Sequence, residues 1–239
     1  TTLLAMMDSS IGGKTAVDLV QGKNLVGAFY NPILVFADVQ TLQTLPQSEV
    51  ISGWAEAIKH GLILDEGLVR VFEDKRKFIL GLDRTVTTDV IRQSVAIKAK
   101  VVSVDEKETK GIRILLNYGH TIGHAIESVT SYNKFRHGEA VSIGMAGAAD
   151  ISMGMGLLSS DETSRQTELL ESYGLPVKYD DIGVTDLVGA MSLDKKNSKG
   201  AIRWVLLERI GHAITRNDIP EQLVDQVLVR LERKKLEGS

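Results

Sequence analysis

The sequence predicts a mainly α-helical protein with a short remnant of α/β structure at its front, and three observations carry that expectation. From Gln47 onward apolar residues recur at helical spacing over long stretches, whereas up to Pro46 glycine and proline punctuation is dense and the apolar runs are short. Only four prolines occur in 239 residues, at 32, 46, 176 and 220, each at an element boundary. The hydrophobic content of 43% is enough for a core, which excludes wholesale disorder.

Within the front segment, 1–46, the runs 3–7, 25–29 and 33–37 have strand length. The first follows two threonines at once, as a buried strand already under way would. The last is β-branched and stops at Asp38. Between them, DSSIGGKT is a glycine-flexible turn that presents Lys14 and backbone amides to an anion, and GKN at 22–24 repeats the theme with Lys23. It is not a Walker loop, because Asp8 stands where that motif needs its first glycine.

The second segment, 47–239, reads as a helical domain. In the expected helix 49–64, Val50, Trp54, Ala57, Ile58 and Ile63 form the apolar stripe and Gly61 marks a cap or a break. Further helices are expected over 66–79, 83–105, 118–129, 137–157, 160–173, 184–194 and 220–235, with a short strand at 202–207 after the KKNSKG turn.

Composition narrows the function. With 28 basic and 31 acidic residues, a net charge of -3 and 5% aromatics, the chain lacks the basic face and stacking rings of a nucleic-acid binder. No run approaches the roughly 18 apolar residues of a membrane span. The first residues show no basic n-region or small-residue cleavage site, so a cytoplasmic protein is expected. The absence of an initiator methionine reads as a chain cut from something longer. Zero cysteine excludes disulfides, thiolate metal sites and a cysteine nucleophile, so any metal must be held by nitrogen and oxygen.

Three of the five histidines lie between positions 120 and 137. His120 and His124 are four apart in NYGHTIGHAIE and share one helix face, and Asn117, His120, His124 and Glu127 follow 3-4-3 spacing as one polar stripe. Such a stripe facing a core needs partners, because each unsatisfied buried group costs roughly 1–3 kcal/mol. The HExxH protease motif fails at Thr121. His137, in FRHGEA, opens a segment so rich in Gly and Ala that it implies close approach to a neighbouring helix. Glu56 lies on the apolar side of its helix, and two histidines plus one carboxylate with an open position form a common catalytic zinc set. The alternatives are an ion pair of Glu56 with Lys59 or His60, and a surface or capping pair for His120 and His124. Lys59, Lys98, Lys195, Lys196 and Arg113 add cations suited to a substrate bearing phosphate and carboxylate, unless they are snorkelling surface residues.

Seven motifs in order, DSSIGGKT, GKNLVGAFYNP, AEAIKHG, KAKVVSVDE, LLNYGHTIGHAIE, RHGEAVSIGM and SLDKKN, resemble the 3-dehydroquinate synthase family. The resemblance implies the helical metal-binding domain of that fold, behind the edge (1–46) of an α/β dinucleotide-binding domain that family members carry mostly upstream. It implies metal ligation by Glu56, His120 and His137, with zinc expected and cobalt an alternative. His124 falls on an active-site histidine rather than a ligand. Asp8, Lys14, Lys23, Asn24, Lys59, Lys98, Arg113 and Asn117 match further active-site positions, with one of Lys195 and Lys196. Thr1, Thr2, Lys14, Lys23, Asn24 and the stretch Thr41, Leu42, Gln43, Thr44 match positions used around NAD.

The implied chemistry is conversion of 3-deoxy-D-arabino-heptulosonate 7-phosphate to 3-dehydroquinate and phosphate, in the shikimate route to aromatic amino acids, by an enzyme expected to be a homodimer. In that reading Lys14, Asn117 and His124 serve the phosphate, and Lys98 and Arg113 the carboxylate. No GxGxxG fingerprint occurs in the chain, so alone it is expected not to complete the reaction. Sibling cyclases making deoxy-scyllo-inosose or a valiolone, and a non-catalytic metal-binding helical module, are the alternatives.

Overall fold

A computed structural model describes the backbone of residues 1–19, 22–197 and 202–233, and the side chains of 1–17, 26–192 and 202–233. Its axis is helix α1 (Gln47–Leu64), which follows Pro46 and is buried almost continuously from Ser52 to Ile63. Asp65 ends it in an extended conformation and caps the next helix, accepting from Leu68 N, so α2 (Glu66–Asp74) turns back against α1. Gly61 neither caps nor breaks α1; its bare backbone lets Val69 of α2 approach, and a Cβ there would sit 3.0 Å from Val69 Cγ2. The expected helix 66–79 is two helices, since the chain turns at Lys75 before α3 (Arg76–Leu80). Asp83 then caps α4 (Arg84–Val104), which packs on α1.

The stripe helix starts two residues later than expected. Asn117 belongs to a 3-10 turn (Arg113–Asn117), Gly119 takes the left-handed conformation at φ 79°, and α5 runs His120–Val129. It lies against α6 (His137–Gly154), whose small residues allow the contacts that their abundance predicts. A Cβ on Gly144 would meet Gly119 O at 1.9 Å, and one on Gly138 would meet Ser52 O of α1 at 1.9 Å. Gly138 N also donates to Ser52 Oγ at 3.0 Å. These approaches hold the start of α6 against the middle of α1 and the start of α5 against α6.

The remaining helices close the core. Helix α7 (Ser160–Ser172) is capped by Ser159 and places Gln166 under Tyr118, whose hydroxyl donates to Gln166 Oε1 at 2.8 Å. Trp54, Phe72 and Tyr173 stack edge to face at 5.9 and 5.4 Å between α1, α2 and α7. Helix α8 (Val184–Asn197) continues past the expected 194, and α9 (Glu221–Leu231) packs on α6. Helix α9 ends at Leu231, short of the expected Lys235, because Glu232 turns extended and bridges to Tyr179.

The front segment departs most from expectation. Residues 3–7 form no strand: Thr2 Oγ1 accepts from Ala5 N, a π-helical turn (Ala5–Ser9) follows, and Leu3, Met6 and Met7 are buried at its 3-4 spacing. The run 25–29 does enter a strand, in the antiparallel hairpin of β1 (Lys14–Leu19) and β2 (Gly22–Phe29). The run 33–37 is irregular and exposed, with Ile33 and Phe36 106% and 85% accessible. A strand needs a neighbour for its ladder, and no described strand lies beside this run. At the other end, β3 (Trp204–Arg209) bears out the expected strand and pairs with β4 (His212–Arg216), which the pattern missed. The hairpin turns at Gly211, φ 82°, whose N–H donates to Leu62 O of α1. Among the described residues no helix is long and apolar enough to cross a membrane.

Between α4 and the 3-10 turn, the Asp105 carboxylate accepts from the backbone N–H groups of Thr109, Lys110, Ile112 and Arg113 at 2.8–3.0 Å. Those bonds, Arg113 first, hold the carboxyl down at about 2 and fix the loop that presents Glu108 and Arg113. A carboxyl lowered in this way stabilises the fold fully above its ordinary value of 3.8 and loses that contribution as pH falls through about 2. The difference in denaturant midpoint between the protein and Asp105→Asn is therefore expected to narrow between about pH 4 and pH 2. The glycine contacts give a second expectation. Gly138→Ala should cost roughly 1–3 kcal/mol by overpacking. Gly189→Ala, in α8 with open space around it, should be neutral or stabilising by up to about 1 kcal/mol. Chemical denaturation of both variants measures the pair.

Candidate active site

Glu56 sits in the middle of α1 with no exposed surface. A buried carboxylate needs compensation, and part comes from its own helix: Lys59, one turn on and equally buried, donates to Oε2. The ion pair weighed as an alternative for Glu56 therefore exists, but it uses one oxygen only. Oε1 makes no hydrogen bond to any described residue. Facing it are His120 Nε2 at 3.7 Å, from the first turn of α5, and His137 Nε2 at 3.5 Å, from the first residue of α6. These are electrostatic contacts at or beyond hydrogen-bond range.

Both rings are turned by their other nitrogen. His120 Nδ1 lies 3.2 Å from Tyr118 O, a pure acceptor, so the ring donates there and keeps its Nε2 lone pair inward. His137 Nδ1 lies 3.3 Å from Glu127 Oε1. Donor atoms 3.5–3.7 Å apart fit a shared ion, since two ligands each roughly 2.0–2.2 Å from a tetrahedral zinc lie about 3.4 Å from one another. With an unpartnered buried oxygen between two inward lone pairs, Glu56, His120 and His137 suit a nitrogen- and oxygen-bound divalent ion.

The charges agree. Burial raises the Glu56 carboxyl, but Lys59, then His137 and His120, hold it well below the usual carboxylate range. Burial, then Lys59, pushes His120 well below an ordinary imidazole, so it is neutral and ready to ligate. His137 goes the other way: burial opposes it, but Glu127 and Glu56 raise it to about 9. A second triad, Asp8, Glu56 and His60, also lies within ligand range. There Lys98 donates to Asp8, Lys59 to Glu56, and His60 Nδ1 pairs with Ser94 Oγ at 2.7 Å, so ammonium groups already supply the cations.

His120 and His137 of the first triad line one side of a cavity of about 510 Å³, with Glu56 buried behind them. His124 lines it, its ring edge-on to His120 at 5.0 Å, and Asn117 joins from the 3-10 turn rather than from the helix. Opposite stand the cations. Lys98, from α4, bonds both Asp8 Oδ1 and Asp8 O, and burial lowers its ammonium while Asp8 opposes. Arg113 is buried and donates to Gly12 O and Glu106 O. Lys14, about half exposed, pairs with Glu108 at 2.6 Å. Asp8, Lys14, Lys59, Lys98, Arg113, Asn117 and His124 thus share one cavity with His120 and His137.

Of the described residues expected around NAD, only Lys14 lines this cavity. Thr2 caps the first turn, Thr1 is exposed, and Thr41 to Thr44 lie in a 3-10 turn (Val39–Thr44) with Leu42 in the core. Gln43 is exposed on that turn. The side chains of Lys23, Asn24, Lys195 and Lys196 lie outside the described residues; their backbones are in β2 and α8. The sequence reading missed Glu108, which sits in an aperiodic loop, and gave Glu127 no role although it stood in the stripe.

Comparison with known proteins follows the same lines. Residues 1–52 match the family model described as 3-dehydroquinate synthase N-terminal, and residues 53–197 the one described as 3-dehydroquinate synthase C-terminal. A 3-dehydroquinate synthase of Acidithiobacillus ferrooxidans is 46% identical over 228 residues, 95% of this chain and 62% of that protein. One of Prochlorococcus marinus is 48% identical over 223 residues, 92% of this chain and 61% of that protein. The chain thus spans about three fifths of the length of these relatives. Among solved structures, a 2-epi-5-epi-valiolone synthase from Streptomyces hygroscopicus with NAD+ and Zn2+ bound superposes with a TM-score of 0.89 at 26% identity, over 96% of this chain and 64% of that one. A 2-deoxy-scyllo-inosose synthase complexed with carbaglucose-6-phosphate, NAD+ and Co2+ gives 0.82 at 31% identity, over 95% and 65%. With both halves of the family's model matched in order, and the Glu56–His120–His137 cluster at the centre of the matched region, the chain belongs to the 3-dehydroquinate synthase family.

Proposed function

We propose that the polypeptide carrying this chain is a 3-dehydroquinate synthase, a phosphate-eliminating lyase that turns 3-deoxy-D-arabino-heptulosonate 7-phosphate into 3-dehydroquinate and phosphate. The observation that carries this reading is the convergence of Glu56, His120 and His137 on one unpartnered oxygen, in a cavity whose other wall is cationic. Metal and cations together suit a substrate bearing vicinal hydroxyls, a carboxylate and a phosphate.

Glu56, His120 and His137 would hold the ion, with zinc the best match to their donor set and cobalt able to replace it. When bound, the ion supplies Lewis acidity to the substrate hydroxyls, and NAD a reversible acceptor for hydride. The chain's own residues bind, orient and move protons. Lys98 and Arg113 receive the carboxylate, and Lys14, Asn117 and His124 receive the phosphate. His124 Nδ1 or Nε2, exposed to the cavity beside His120, can pass a proton to the leaving oxygen. Lys59 keeps Glu56 ionised, so the cluster keeps its charge while the ring hydroxyl is oxidised, phosphate is eliminated, the ketone is reduced, the ring opens and the aldol closes the carbocycle. Residues 1–46 are read as the edge of the NAD-binding α/β domain, with Thr1, Thr2, Lys23, Asn24 and the 41–44 turn around the cofactor, and 47–239 as the metal and substrate domain. The working enzyme is read as a cytoplasmic homodimer with no nucleic-acid or membrane partner.

Phosphate release by the polypeptide carrying this chain, with NAD+ and zinc, tests the reaction. Turnover on the heptulosonate phosphate but not on sugar phosphates lacking the carboxylate is expected, and the reverse order would favour a sibling cyclase. Lys98→Ala should lower kcat/KM by about 10- to 100-fold, the loss of one hydrogen bond to a charged group. His137→Ala should remove stoichiometric zinc, read by elemental analysis of the purified protein; one zinc per chain in that variant would refute the ligand set.

A further inference from the structure

We propose that Glu127 is the positioning residue for His137: its buried carboxylate takes the Nδ1–H of that ring and so aims the Nε2 lone pair at the point faced by Glu56 Oε1 and His120 Nε2. The inference rests on the metal reading of that triad and adds to it a residue that neither the sequence motifs nor the comparisons assign.

The geometry is specific. Glu127 lies on α5 seven residues after His120, two helical turns along the same face, and only 3% of it is exposed. Its Oε1 is 3.3 Å from His137 Nδ1, while His137 Nε2 is 3.5 Å from Glu56 Oε1. The imidazole therefore bridges two buried carboxylates, one on each nitrogen. His137 needs such a hold more than His120 does. It is the first residue of α6, with no preceding helical turn to lean on, and its side chain is 26% exposed. His120, 13% exposed, is turned by a backbone carbonyl that the fold already fixes.

The two ligands thus have unlike supports, a neutral carbonyl for His120 and a full charge for His137. A carboxylate on the outer nitrogen fixes the tautomer and makes the inner nitrogen a stronger donor. The contact also joins the end of α5 to the start of α6, so orienting the ligand and holding the helix pair are one interaction.

The test uses Glu127→Gln and Glu127→Ala in the 239-residue chain. Zinc affinity is measured by competition with a chromophoric chelator, and the ligand field by visible absorption of the cobalt-loaded protein. Gln keeps an acceptor and loses the charge; Ala loses both. Affinity should fall about tenfold in the Gln variant and about a hundredfold in the Ala variant, with a shifted cobalt spectrum in each. A role in packing alone would lower the melting temperature without ordering the affinities in this way, and that outcome overturns the proposal, as does Ala binding zinc as tightly as the parent. Should Ala not fold, the near-isosteric Gln variant decides by the same criterion. If the parent chain binds one zinc and His137→Ala loses it, an unchanged Glu127 variant sinks this inference alone. If the parent binds no zinc, the metal reading falls and this inference with it.

Discussion

Everything around the candidate site follows from burying the carboxylate of Glu56. Taking an ion of that kind out of water costs several kcal/mol even after relaxation, and a single ion pair rarely offsets it. Lys59 offsets part from one turn away. The rest has to come from other elements, and it comes from the first turns of α5 and α6, which must reach the middle of α1. That approach is sterically possible only because Gly119, Gly138 and Gly144 carry no Cβ where carbonyl oxygens stand within 3 Å of the position one would take. Electrostatic need at Glu56 and small residues at the helix crossings are two sides of one constraint.

The same economy appears on the opposite wall. Lys14, Lys98 and Arg113 are all engaged with the protein's own oxygens, through Glu108, Asp8 and the carbonyls of Gly12 and Glu106. At these three residues an anionic ligand would exchange for carboxylate and carbonyl partners already in place. Such exchange favours ligands whose geometry matches several partners at once, because only they recover what is given up. On the metal side, His120 is kept neutral while His137 is pushed towards the protonated form. Were an ion to bind at His137 Nε2, its binding would be linked to loss of that proton, as is usual for imidazole ligands.

Much was legible before any coordinates. The helices from 47 onward follow from 3-4 spacing, while their caps Asp65, Asp83 and Ser159 emerged only with the structure. The crowding of α6 was readable from its run of Gly and Ala, and the cluster of Glu56 with the histidines from residue chemistry. The misreadings share a cause. Residues 3–7 and 33–37 have strand composition, but a strand exists only with a partner, and composition does not say whether one is present. Helix α5 lost two residues to Gly119, because a left-handed glycine ends one turn and opens another. Strand β4 went unseen because HAITR alternates too briefly to stand out without β3 beside it.

By itself the sequence determined the fold class, the donor types available to a metal, and the family, since motifs and local periodicity are properties of short stretches. Residue spacing left open which donors meet; the family motifs implied a set, and the tertiary structure brings that set together. It separated the two oxygens of Glu56, giving Oε2 to Lys59 and leaving Oε1 to face the histidines. It made His120 and His137, rather than His120 and its helix neighbour His124, the pair that converges there, and it set Glu127 behind His137. The physical reason is that these contacts join residues 64 and 81 positions apart, Glu56 with His120 and with His137, at separations of a few ångströms that no local pattern encodes.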